Sequence, residues 1–330
     1  MQHSNTEKKT AKPFRWAFIG CGAIANKVAK EIQKDGSGTI VACWNRTKSR
    51  AEEFSAKFGS TVYDTAEEAI AAEGVEGVYI ATTHDMHGYF TKLCINRGVP
   101  VLCEKPFTVN RKEAEEVFAL AKEKNVYVSE AMWTWHNVPA LTVRDWVKSG
   151  KVGQIKSVYA SFAVPMLQFK NKPRLTSPAL IGGALMDIGI YPVRYMYELF
   201  GMPKKLTAAG ELMNGIDITE KIIMDYGSFQ AELVVSMQKP IGEVLLIEGT
   251  EGKIKVPFFH FAKKGTLTGK QKDQFKIRSL LYATQFRQVA EEIRAGKTES
   301  EFCPVQSTLD TMALLDECRR QMGVIYPSET

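Results

Sequence analysis

The sequence predicts an α/β protein: an N-terminal doubly wound parallel sheet, then an α+β domain on a large open, mainly antiparallel sheet. Three observations predict it. Up to residue 130, short apolar runs alternate with amphipathic runs of helical length. A glycine turn lies between the first strand and the first helix. After Gly153, strands follow strands across short turns such as Tyr226-Gly227-Ser228. The division expected is residues 1–130 for the parallel domain and 131–330 for the second.

Taken in order, residues 14–19 read as a strand and the helix after the glycine turn runs to Gln33. Residues 39–44 are a second strand and 48–58 a second helix. Strands follow at 75–81, 99–103 and 126–129, with helices at 86–96 and 111–124 between them. In the second half, residues 155–163, 205–212, 221–225, 230–236 and 243–248 are strand-like. Helical patterns at 185–200 and 280–295 interrupt them, and an amphipathic helix at 304–321 closes the chain.

Composition limits the function classes. The 330 residues are 45% hydrophobic and 24% charged, ordinary values for a globular chain long enough for two cores. No apolar run approaches the roughly 18 residues that cross a bilayer. The polar, basic start is not expected to be a secretory leader, and residues 1–12 are expected to be a short frayed tail. The net charge of +6 is spread along the chain. Its densest patches, Lys8, Lys9 and Lys12, then Lys263, Lys264, Lys270 and Lys272 in a later loop, read as solvated surface. No basic stripe on a nucleic-acid-binding motif is present. The six cysteines form no C-x-x-C pair and suit a reducing cytoplasm.

Gly20-Cys21-Gly22-Ala23-Ile24-Ala25 fits G-x-G-x-x-A in the strand-to-helix context that motif requires. Gly20 permits the tight turn, Gly22 lets the backbone approach a pyrophosphate, and Ala25 allows close helix–strand packing. The free N–H groups of Ala23 and Ile24 at the helix start favour phosphate. At the end of the second strand an NAD site usually places a carboxylate on the ribose. Here stand Asn45, Arg46, Thr47 and Lys48, with no carboxylate before Glu52. A guanidinium suits a 2′-phosphate, so the expected cofactor is NADP(H).

Further motifs follow in order: Ala81-Thr82-Thr83-His84-Asp85-Met86-His87, Cys103-Glu104-Lys105-Pro106-Phe107, Ser129-Glu130-Ala131-Met132-Trp133-Thr134, Gly182-Gly183-Ala184-Leu185-Met186-Asp187-Ile188-Gly189-Ile190-Tyr191-Pro192, and Gly249-Thr250-Glu251-Gly252. In this combination the chain resembles the Gfo/Idh/MocA family of sugar and polyol oxidoreductases. It looks most like the branch of dimeric dihydrodiol dehydrogenases and NADP-dependent D-xylose dehydrogenases. The resemblance implies that Lys105 is the catalytic E-K-P lysine. It makes Asp187 and Tyr191 its partners, with tyrosine where many members have histidine. It also places Thr82, His87, Glu104 and Lys105 beside the cofactor, and Trp133 with Lys105, Asp187 and Tyr191 around the substrate. It implies a sugar, cyclic polyol or dihydrodiol substrate, and a homodimer or larger homo-oligomer formed through the open sheet. Related chains often carry Arg where Trp135 stands. Some members of the family are inactive cofactor-binding regulators, a reading the intact Lys105, Asp187 and Tyr191 oppose.

Alcohol oxidation needs a base for the hydroxyl proton. A phenol, with a free pKa of about 10, needs a neighbouring cation to serve. Lys105 is the expected cation, and Tyr191 is the acid in the reverse direction. Asp187 and Tyr191 are four apart, so a helix sets them on one face. Pro192 disfavours helical geometry at Tyr191, which leaves a first-turn position or a kink. Trp133 and Trp135 suit either a sugar-facing wall or the core, and His136 either the site or a helix start. His84 and His87 lack the third and fourth ligands zinc would need, so no metal is expected.

Overall fold

The computed structural model describes residues 12–168, 173–278 and 282–329. The expected tail thus lies almost wholly outside the described residues, as does the start of the helix read at 280–295. The first half holds β1 (Phe14–Ile19), α1 (Ala23–Asp35), β2 (Gly38–Trp44), α2 (Lys48–Phe58), β3 (Thr61–Val62), α3 (Ala66–Ile70), β4 (Gly77–Ile80), α4 (His87–Asn96), β5 (Val101–Glu104), α5 (Arg111–Lys124) and β6 (Val128–Ala131). All six strands are parallel, in the order β3-β2-β1-β4-β5-β6. The chain reverses its winding between β1 and β4, and the crevice at the carboxyl ends of those strands is where such sheets bind ligands.

Local chemistry sets the ends of these elements. Asn110 caps α5 by accepting the Glu113 N–H at 2.9 Å. Thr65 and Glu68 form a reciprocal capping box on α3. The brief β3 and α3 lack the apolar run that marks their neighbours, and periodicity passes over them.

The second half holds α6 (Val138–Lys148), β7 (Ile155–Ala163), α7 (Pro173–Thr176), α8 (Ile190–Phe200), β8 (Lys205–Met213), β9 (Ile216–Asp225), β10 (Gln230–Ser236), β11 (Gly242–Gly249), β12 (Gly252–Pro257), β13 (Lys264–Gly269), β14 (Asp273–Lys276), α9 (Ala283–Arg294) and α10 (Val305–Met322). Its sheet runs β14-β13-β12-β11-β7-β10-β9-β8, antiparallel except for the β7–β10 pair. The segment read as a lysine-rich loop is partly strand, because β12, β13 and β14 extend the sheet beyond β11. Their alternation of Lys or Thr with buried Ile254, Val256 and Leu267 is the half-buried strand pattern.

Helix α8 covers β7 and β10, and α10 lies on β8. Helix α9 crosses to the first sheet instead. Its Phe286 meets Trp16, Phe18 and Tyr79 with ring centroids 5.1, 6.3 and 4.9 Å away. The late helix thereby completes the core of the early sheet. No helix among the described residues is long and apolar enough to cross a membrane.

Candidate active site

The glycine turn follows β1 as its spacing requires. Gly20 has φ +99°, and a Cβ there would stand 2.5 Å from the Ala81 carbonyl oxygen. Only glycine fits between β1 and the start of the Thr82 loop. A Cβ on Gly22 meets nothing within 4 Å, which leaves open space for a pyrophosphate. Gly22 is also the N-cap of α1, with no side-chain cap and no acidic residue in the first turn. The free N–H groups and the positive helix end fit a dinucleotide's phosphates. Asn45 accepts the Cys21 N–H at 3.1 Å and so ties the β2 end to the turn. Arg46 is exposed beside it, whereas Lys48 is engaged by Asp64 at 2.6 Å.

Lys105 leaves the end of β5 on a cis Lys105–Pro106 bond. Glu104 before it is buried, accepting from the Tyr79 hydroxyl at 2.6 Å and from the Lys105 N–H at 3.3 Å. Burial pushes the Glu104 carboxyl up against these bonds. His87, expected beside the cofactor, stands at the start of α4. It has no exposed surface, and its Nδ1 meets the Pro106 carbonyl at 2.8 Å. It braces the Lys105–Pro106 turn from beneath. His84, also buried, bonds through Nδ1 to the Ile181 carbonyl at 3.1 Å. No group of three or more His, Cys, Asp or Glu side chains among the described residues is placed to hold a metal.

Asp187 lies in a π-helical turn, Leu185–Gly189, that runs directly into α8. Tyr191 is in the first turn of α8 and Pro192 follows it. The proline has no N–H to continue the ladder, and the widened turn falls just before it. Both sequence alternatives are thus partly realised. The Lys105 Nζ donates to the Asp187 main-chain carbonyl at 2.5 Å and stands 3.6 Å from Oδ1. Arg174 of α7 binds the same Oδ1 at 2.7 Å. Burial raises the Asp187 carboxyl, but Lys105 and then Arg174 outweigh it and hold the group far below the usual carboxylate range.

Tyr191 is 7% exposed and accepts from Trp133 Nε1 at 3.3 Å. Lys105 Nζ lies 5.0 Å from its ring centroid. Here the expectation of a lowered phenol fails. Burial pushes Tyr191 well up, the Glu104 charge adds to this, and the ammonium is spent on Asp187.

Trp133 also packs on Tyr282 and Phe261, at 4.4 and 5.7 Å between centroids, so it is both wall and hydrogen-bond donor. Trp135 is core, 1% exposed and packed on Tyr195. His136 is buried against Gln288, Nδ1 to Oε1 at 2.7 Å. Arg174, Phe162, Tyr282 and His260 also converge on this region. No motif marks them, because each meets residues outside its own local stretch of chain.

Residues 14–132 match the family described as an oxidoreductase family with an NAD-binding Rossmann fold. Residues 140–255 match the GFO/IDH/MocA C-terminal domain. The chain is 30% identical to a scyllo-inositol 2-dehydrogenase (NADP(+)) of Bacillus subtilis, over 96% of this chain and 99% of that one. It is 28% identical to the trans-1,2-dihydrobenzene-1,2-diol dehydrogenase of Mus musculus, over 96% and 98%. A 3-ketoreductase of Actinomadura kijaniata, solved with NADP and TDP-benzene, superposes with a TM-score of 0.83 at 23% identity, covering 94% of this chain and 98% of that one. The chain belongs to the GFO/IDH/MocA family of oxidoreductases.

Proposed function

We propose that the protein is an NADP(H)-dependent dehydrogenase or reductase acting on a secondary alcohol or carbonyl of a sugar, cyclic polyol or trans-dihydrodiol. The observation that carries this reading is the meeting of Lys105, from the end of β5, with Asp187 and Tyr191, from the start of α8. Two domains contribute to one site beside the dinucleotide crevice.

The residues divide the work. The nicotinamide, when bound, supplies or accepts the hydride. Tyr191 holds a proton on its hydroxyl and gives it to the carbonyl oxygen during reduction. In oxidation the same oxygen, as phenolate, takes the proton of the substrate hydroxyl. Lys105 supports the developing negative charge on the substrate oxygen. Asp187 fixes the ammonium, and Arg174 fixes Asp187 from the pocket mouth. Two cations then face one carboxylate, which favours an alkoxide. Asn45 and the exposed Arg46 support a 2′-phosphate and hence NADP(H) over NAD(H).

The second sheet's free face supports a homodimer as the minimum assembly. Six free, buried cysteines suit a reducing cytoplasm. The deciding experiment is turnover on a panel of pentoses, hexoses, inositols and dihydrodiols with NADP and with NAD. Cofactor binding without turnover of any substrate would favour an inactive regulator instead.

A further inference from the structure

His260 lies in the loop between β12 and β13, outside every motif. Glu243 of β11, itself buried, accepts the His260 main-chain N–H at 2.7 Å and meets Nδ1 with both oxygens at 2.7 and 2.8 Å. A carboxylate has no proton to give, so Nδ1 carries one and the ring's orientation is fixed. Nε2 makes no hydrogen bond among the described residues, and the side chain keeps 24% exposure. The ring stacks on Phe162 at 4.5 Å and lies 5.1 Å from the Tyr191 ring. The loop is pinned from its other side, where the Tyr195 hydroxyl donates to the Phe259 carbonyl at 3.0 Å. Phe258 adopts φ +51°, a left-handed conformation that a bulky residue takes only when its surroundings impose it. Strain and clamping converge on the aim of one imidazole.

We propose that His260 is a specificity-determining residue whose Nε2 hydrogen-bonds a substrate hydroxyl remote from the reacting carbon. The substrate is then a polyhydroxylated ring, a cyclic polyol or an aldose, rather than an arene dihydrodiol. This rests on the reading of Tyr191 as the group at the reacting oxygen. Lys105, Asp187 and Arg174 already furnish the reacting end with enough polar groups for a vicinal pair. A dihydrodiol is hydrocarbon beyond that pair and would strip water from Nε2 without replacing it, which is penalised. A polyol places a hydroxyl there and keeps Nε2 hydrogen-bonded.

The test measures kcat and KM on scyllo-inositol, an aldopyranose panel and trans-1,2-dihydrobenzene-1,2-diol. It uses wild type, His260→Phe and His260→Asn, with NADPH quenching as the check on folding. The expected result is a wild type that prefers a polyol or aldose. In His260→Phe the ratio of polyol to dihydrodiol kcat/KM falls about ten- to a hundredfold, mainly through KM, and His260→Asn recovers part of it. A wild type that prefers the dihydrodiol, or a ratio that both variants leave unchanged, overturns the inference. Turnover of neither class by wild type overturns it together with the dehydrogenase reading, and Tyr191→Phe tests that reading separately.

Discussion

The ammonium of Lys105 is bound to the main-chain carbonyl of Asp187, 2.5 Å away, and not to the Tyr191 hydroxyl. That bond ties the end of β5 to the π-helical turn before α8. It leaves the buried phenol neutral, the state of a proton donor. Tyr191→Phe and Lys105→Ala are therefore expected to keep NADPH binding and to lose about 10²- to 10⁴-fold in kcat. Nicotinamide fluorescence and steady-state turnover on the same samples check this. Near-normal turnover in both variants would defeat the proposed roles.

Cofactor choice turns on a different residue. Lys48 is committed to Asp64, while Arg46 makes no ion pair among the described residues. A charge-assisted bond to a 2′-phosphate is worth roughly 1.5–3 kcal/mol. Arg46→Ala should weaken NADPH by about ten- to a hundredfold and leave NADH almost unchanged, as titration of each cofactor would reveal. Equal losses would remove Arg46 from the 2′-phosphate.

The glycine turn is legible in the sequence because it rests on local pattern, whereas Lys105, Asp187 and Tyr191 stand out only through the resemblance of their motifs to the family. Gly20 needs its positive φ within one turn, and Lys105 follows its strand directly. The bond from His87 to the Pro106 carbonyl is not legible, because spacing shows proximity to a loop but not the side on which a ring is buried. The phenol's charge state misled for a related reason: Lys105 is near Tyr191, yet the competing Asp187 carbonyl appears only in three dimensions. Arg174 and His260 meet partners 13 and 17 residues away in other elements, a separation no helical or strand period reports.

Acid should loosen the protein through its buried histidines. Burial lowers His84 to about 3, His87 to about 4 and His136 to about 4, from a free value of 6.5. Between those values the unfolded chain binds more protons than the folded one, so stability rises with pH. The contribution is whole above pH 6.5 and is lost as pH falls toward 4. Each such histidine is worth roughly 3 to 5 kcal/mol at most. Thermal melts at pH 6.5 and 4.5 should show a falling Tm, with a smaller fall in His136→Gln. A Tm independent of pH across that window would contradict it.

The second sheet presents one face to α8 and α10, and its other face has no helix on it among the described residues. On that other face Tyr159 of β7, Val234 of β10, and Val244 and Leu246 of β11 are half-buried neighbours around Ser161. The Lys221–Glu232 and Lys253–Glu248 pairs flank them at 2.8 and 2.7 Å. An apolar centre with a charged rim is how a protein interface is built, and a second copy offers the same surface about a two-fold axis. Lysines at the centre would meet their own copies across that axis, and each would lose water without gaining a counter-ion. Val234→Lys combined with Leu246→Lys should therefore give a folded monomer, by light scattering and circular dichroism, where the wild type gives a dimer or larger assembly. Both side chains point away from Tyr191 and the helices, so the substitution tests assembly without touching the core beneath the site. A monomeric wild type at micromolar concentration, or a variant that assembles as before, would rule out this face as the interface.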